Sequence, residues 1–142
     1  MTLLEAIHGH LGVLAMAALF HPVLLLWSGK PLSRNAKIAM GASLVLVSVT
    51  FALGLTIYGA YREEVKPELF RTNLQAGVLF DTKEHLAWVA LVGAVGAGIA
   101  GLVAPPKAAQ VRRIAARVFL GAAIACVLTV CLGTWIASIR SF

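Results

Sequence analysis

The chain has 142 residues, 60% of them hydrophobic and 13% charged, with a formal net charge of +6. A soluble domain is roughly half apolar and a quarter charged, so long uncharged runs here mark bilayer spans rather than a soluble core. The positive charge does not point to nucleic acid, because a membrane protein gathers Lys and Arg in its cytoplasmic loops and acquires a high pI from that alone.

The opening MTLLEAIHGH lacks a positive n-region and carries Glu5, which argues against a cleaved signal peptide. Four apolar segments follow: Leu3 to Trp27, Ile38 to Tyr61, Leu86 to Ala104 and Ile114 to Ile139. Each reaches, or falls one short of, the ~20 residues that cross ~30 Å of hydrocarbon as a helix. None shows the alternation of a membrane barrel strand. The expectation is an all-α integral membrane protein, a four-helix transmembrane bundle forming one domain over 1–142. Its helices are expected at about 3–28, 36–62, 82–104 and 110–140.

The punctuation agrees. Thr2-Leu3-Leu4-Glu5 and Asp81-Thr82-Lys83-Glu84 have capping-box spacing and are expected to start the first and third helices. Ser28-Gly29-Lys30-Pro31 ends the first helix and Pro105-Pro106 the third. The loop 63–81 is long for a compact bundle. Within it Pro67 suits a first helical turn, and Leu69, Phe70, Leu74 and Val78 are spaced for one face of a short interfacial helix, a lid on the outer surface.

Loop charge orients the chain. Lys30, Arg34 and Lys37 mark one loop; Lys107, Arg112, Arg113 and Arg117 mark another and the helix after it. These sides are expected to be cytoplasmic, with both termini and the mixed-charge loop outside, in a bacterial inner membrane. Cys126 and Cys131 lie five residues apart in an apolar run, pointing about 140° apart on a helix. They read as buried small hydrophobes, neither a redox pair nor a disulfide.

Three of the four histidines lie in the first helix. His10 and His21 are eleven residues apart, hence on one face and about 16 Å apart along the axis. Ala17 and Ser28 continue that line, and His8 points about 160° away from it. His85 opens the third helix at the level of His8 and His10, with Gly93, Gly96 and Ala100 below it at about 80°, 20° and 60°. Imidazole is a good axial ligand for haem iron, and bundle cofactors commonly draw ligands from facing helices. His10 and His85 are thus the candidate axial pair for a haem b, with His8 the substitute if the register differs and His21 a further cofactor candidate. Only one bis-histidine haem is available within a single chain. A second would need His21 with Met40, or a partner subunit.

A plainer reading stands beside this one. Histidines near helix ends hydrogen-bond at the polar interface, and Gly/Ala faces pack helices closely in lipid. Pro22, after His21, frees a carbonyl that a polar group could satisfy. Glu84 and His85 with Tyr58, Tyr61 and Glu63 could form an outer proton-exchange or quinone-headgroup site, whereas Arg62, Glu63 and Glu64 read better as a solvated helix end. A nucleophile–base constellation, metal motif or phosphate loop is not evident.

FDTKEHLAWVAL, a helix opened by a histidine, followed by RRIAARVFLGAAIACVLTVCLG, resembles small four-helix membrane proteins of the cytochrome b type. It is also similar to a family linked to cytochrome oxidase assembly. The likeness covers about the last 60 residues and the His-rich first helix. It implies haem or an assembly role. Three functions are therefore weighed: a b-type haem protein passing electrons near the outer leaflet, with quinone as a speculative partner; a cofactor-free accessory or assembly subunit of a larger respiratory membrane complex, or a homo-oligomer; and a proton channel or transporter lined by His10 and His21. The last is disfavoured, since broken or charged helices of the kind found at transport sites are missing.

Overall fold

The computed structural model describes residues 3–139. Among these, four helices are long and apolar enough to cross a membrane. Helix α1 (Leu3–Trp27) runs toward a short loop, and α2 (Arg34–Ala60) returns. One wide π turn, Tyr61–Val65, carries the chain into α3 (Lys66–Thr72), and α4 (Leu74–Val103) and α5 (Ala109–Ile139) complete the fold. The hairpin around Asn73, the start of α1 and the end of α5 share one end of the bundle, the hairpin end. The two short loops share the other, the basic end.

In section the bundle is a rhombus. Helix α5 packs closely on α4 and α1, α1 packs on α2, and the α2–α4 seam is looser. Helices α1 and α4 graze across the short diagonal, while α2 and α5 occupy the long one. The core is built largely from alanine: Ala90, Ala94 and Ala97 of α4 meet Ala115, Ala116, Ala122 and Ala123 of α5. Small side chains let helix backbones approach closely where no water is displaced to drive association. Leu19, Leu26, Met40 and Phe119 fill the wider places.

Several helix ends match their sequence signals. Helix α1 ends before Gly29, whose φ of +70° is the left-handed conformation glycine adopts without strain. Ser33 caps α2 by accepting from the Ala36 amide, and α4 ends at Val103 ahead of the two prolines. The capping box at Thr2 lies partly outside the described residues.

The segment 63–81 departs from expectation. It is helical, and α4 begins eight residues early, at Leu74, capped by Asn73, whose Oδ1 accepts from the Ala76 amide (3.1 Å). Asp81–Glu84 therefore lies inside a helix rather than starting one. The short helix is not a flat lid either: α2, the π turn and α3 form one continuous helix, Arg34–Thr72. Helix α3 packs back on α4. Leu69 is buried there with Val65, Ala76, Phe80 and Ile136, whereas Leu74 and Val78 are exposed. At ~1.5 Å per residue, the twelve residues from Leu74 to Leu86 carry the hairpin about 18 Å beyond the apolar run of α4.

Arg112 ties the basic end together. Its side chain is 1% exposed, and its guanidinium donates to the carbonyls of Gly29 (2.9 Å), Pro105 (2.8 Å) and Pro106 (2.6 Å). One arginine thereby joins both short loops.

Candidate functional site

Consecutive i, i+2 positions on a helix lie 200° apart, and this sorts the histidines. His8 is the inward member of the His8-Gly9-His10 pair. Its ring lies against Gly54 of α2, and its Nδ1–H donates to the Thr50 carbonyl (3.1 Å). The Thr50 hydroxyl in turn donates to the Leu46 carbonyl (2.8 Å). His10 is exposed, and its Nδ1–H donates to the Ala6 carbonyl of its own helix (2.7 Å).

The same alternation holds on α4. Lys83 turns inward, its Nζ 4.8 Å from the centre of the Phe80 ring and its chain beside Gly133 of α5. His85, two residues on, is exposed and donates from Nδ1 to the Asp81 carbonyl (2.8 Å). A carbonyl can only accept, so Nδ1 carries the proton in His8, His10 and His85. Nε2 is then the nitrogen left to accept or to ligate.

His10, Ala17, His21 and Ser28 share one line, as the spacing predicts, and that line faces away from the bundle: all four are exposed. Leu24, on the same line, is 74% exposed. Met40, by contrast, is fully buried against Leu26 and Gly101, so His21 and Met40 do not meet.

Below His85 the structure separates the glycines. Gly93 faces α5, where a Cβ would lie 3.3 Å from Ala122, and Gly98 is pressed against Leu44 of α2. Gly96 opens instead on a groove of about 430 Å³, lined by Ser48, Leu91, Val92, Val95 and Gly96. Phe51 and Trp88 meet edge-to-face across the α2–α4 seam, ring centroids 4.6 Å apart. Val92 and Gly96 both lie within about 20° of His85 around α4, so the groove begins roughly two turns beneath it.

At the base of the hairpin the chain assembles a charged cluster. Lys66 Nζ lies 2.5 Å from Asp81 and 3.5 Å from Glu84, and the Tyr58 hydroxyl donates to the same Glu84 oxygen (3.3 Å). Glu84 is 18% exposed, and its other oxygen is buried without a hydrogen-bond partner among the described residues. Lys66 lies beyond the apolar run 38–61, and its hydrogen bond to Asp81 holds the ammonium above the usual lysine range. The aromatic side of the cluster is Tyr61 stacked on Phe80, centroids 6.2 Å apart. Arg62, Glu63 and Glu64 are exposed. From the sequence, Lys66 has no assigned role and Asp81 only that of a helix cap; in an uninterrupted helical hairpin they face each other, and only knowledge of the turn at Asn73 pairs them.

His10 and His85 are both exposed, on helices that only graze each other across the diagonal. Among the described residues no group of three or more His, Cys, Asp or Glu side chains could hold a metal ion. Both cysteines are free; Cys126 is buried as expected, whereas Cys131 is exposed, unlike the buried hydrophobe its apolar run suggests. Comparison with protein-family models, curated proteins and solved structures finds no match to this chain.

Proposed function

We propose that this chain is an accessory or assembly subunit of a larger membrane complex, lying in a bacterial inner membrane with the hairpin and both termini outside. One observation carries the reading: His10 and His21 lie on the outward face of a membrane-spanning helix. Ionisable side chains in membrane helices almost always face protein or a water-filled cavity, because burial in lipid is costly. A neighbouring helix against Ala17, between the two histidines, would cover both. The hairpin suits the same role, since it offers a rigid helical surface beyond the lipid. The orientation rests on Lys30, Arg34, Lys37, Lys107, Arg112, Arg113 and Arg117 at the basic end, where no Asp or Glu offsets them.

A second reading is favoured by the outward Nε2 atoms of His10 and His85. Either could serve as one axial ligand of a haem b shared between chains, the second ligand coming from the neighbour. The groove beneath His85 would suit the apolar tail of a quinone. The resemblance to small cytochromes b and oxidase-assembly proteins fits both readings.

Extraction of the tagged chain in mild detergent, with native sizing and a dithionite-reduced spectrum, tests the two. A particle containing further copies or polypeptides, without visible bands, supports the subunit reading. Sharp α and β bands support the haem reading. A solitary chain with a featureless spectrum contradicts both.

A further inference from the structure

A pocket of about 280 Å³ opens at the basic end, where the last turn of α1 meets α5; Trp27, Ser28, Arg113 and Arg117 line it. Arg113 and Arg117 stand one turn apart on α5 and are exposed. Among the described residues neither has a carboxylate within ion-pair distance. All six acidic residues of the chain, Glu5, Glu63, Glu64, Glu68, Asp81 and Glu84, belong to the hairpin end. Two fixed positive charges thus share a pocket with no internal counter-charge.

The pocket is held in shape. Arg112 binds the Gly29 carbonyl, and the left-handed Gly29 brings the loop so close that a Cβ there would lie 3.0 Å from the Arg113 Nε and from the Ala109 carbonyl. The Ser28 oxygen accepts from the Lys30 amide (3.3 Å), which leaves its own proton to donate. The Trp27 indole adds another donor at the helix end, where tryptophan suits the membrane–water boundary.

Depth identifies the ligand. Arg117 lies eight residues into α5, about 12 Å from its first residue. Side chains tilt toward the N-terminus of their helix, here the basic end, so both guanidiniums reach back toward the headgroups. Exposed Leu24, Ile114 and Val118 lie within about a turn of the pocket residues and offer apolar surface to acyl chains. We propose that Arg113, Arg117, Ser28 and Trp27 bind the phosphate of an anionic glycerophospholipid. The guanidinium fork matches phosphate oxygens in geometry and charge, and basic pockets between membrane helices take such headgroups.

Native mass spectrometry of the purified full chain, offered phosphatidylglycerol or phosphatidylcholine, tests this. The wild type should retain phosphatidylglycerol preferentially. Arg113→Gln and Arg117→Gln should each weaken retention about fivefold, and the double variant by about twenty-five-fold, while Lys37→Gln at the same end leaves it within about twofold. Equal retention of the two lipids by the wild type overturns the proposal without reference to any variant. So does a folded double variant that still holds phosphatidylglycerol. Displacement of the lipid by millimolar inorganic phosphate would reassign the pocket to the free anion.

Discussion

Arg112 carries a full charge at a nearly sealed position with carbonyls, not carboxylates, as its partners. All three carbonyls belong to the short loops rather than to a helix ladder, and each carbonyl oxygen has acceptor capacity for the guanidinium. Arg112→Met should therefore lower stability by about 2 kcal/mol or more, since it removes charge-assisted bonds and strands carbonyls of both loops. Thermal melting in nanodiscs reads this, with Arg112→Lys restoring only part because it lacks the fork. Two glycines on α4 give a paired test. Gly98→Leu drives a side chain into Leu44 and should cost about 1–3 kcal/mol, whereas Gly96→Leu extends into the open groove and should leave melting nearly unchanged. Equal losses would show that the groove is closed in the membrane. Spacing alone placed His8 and His10 on opposite faces, but α1 is apolar all round, so nothing in its pattern marks which face is inner. Packing against Gly54 and Thr50 decides it.

At the scale of elements, the spans and short loops were legible from apolar length, Gly29 and the paired prolines, because helix stops act locally. The hairpin was not. Its polar composition resembles a loop, and the Asp81–Glu84 spacing imitates a helix start, yet Asn73 caps the helix two turns earlier. What holds this segment helical is nonlocal: Leu69 and Phe80 against Ile136, and Lys66 between Asp81 and Glu84. Lys66→Gln should loosen the hairpin by about 1–2 kcal/mol, between the worth of an exposed pair and a buried one, because Glu84 keeps its burial and loses its cation. Hydrogen exchange should quicken over 61–80 and stay slow in the alanine core around 90–97; equal quickening in both would show that the hairpin and bundle unfold together. Since the Lys66 pKa is raised on folding, its contribution is complete below the ordinary lysine value of 10.5 and is lost only as pH rises through the higher folded value. Hairpin protection should therefore not depend on this group across neutral and mildly alkaline pH.

At the scale of the molecule, charge and histidines divide the surface between two ends and one face. If the basic end is cytoplasmic, Thr72→Cys at the hairpin tip, in a chain with Cys126 and Cys131 replaced by alanine, should react with a membrane-impermeant thiol reagent in intact spheroplasts. Reaction only after the membrane is opened would invert the topology. If the chain is a subunit of a larger complex, protein covers the His10–Ala17–His21 face of α1. A benzophenone amino acid at position 17 tests it most directly, because the excited ketone inserts into whichever C–H bonds lie beside it. Val45, exposed on α2, is the lipid-facing reference. Illumination of native membranes should yield a protein adduct of higher mass from position 17 and lipid adducts from position 45. Lipid adducts alone from both positions would show that the histidine face meets the bilayer, contradicting the subunit account.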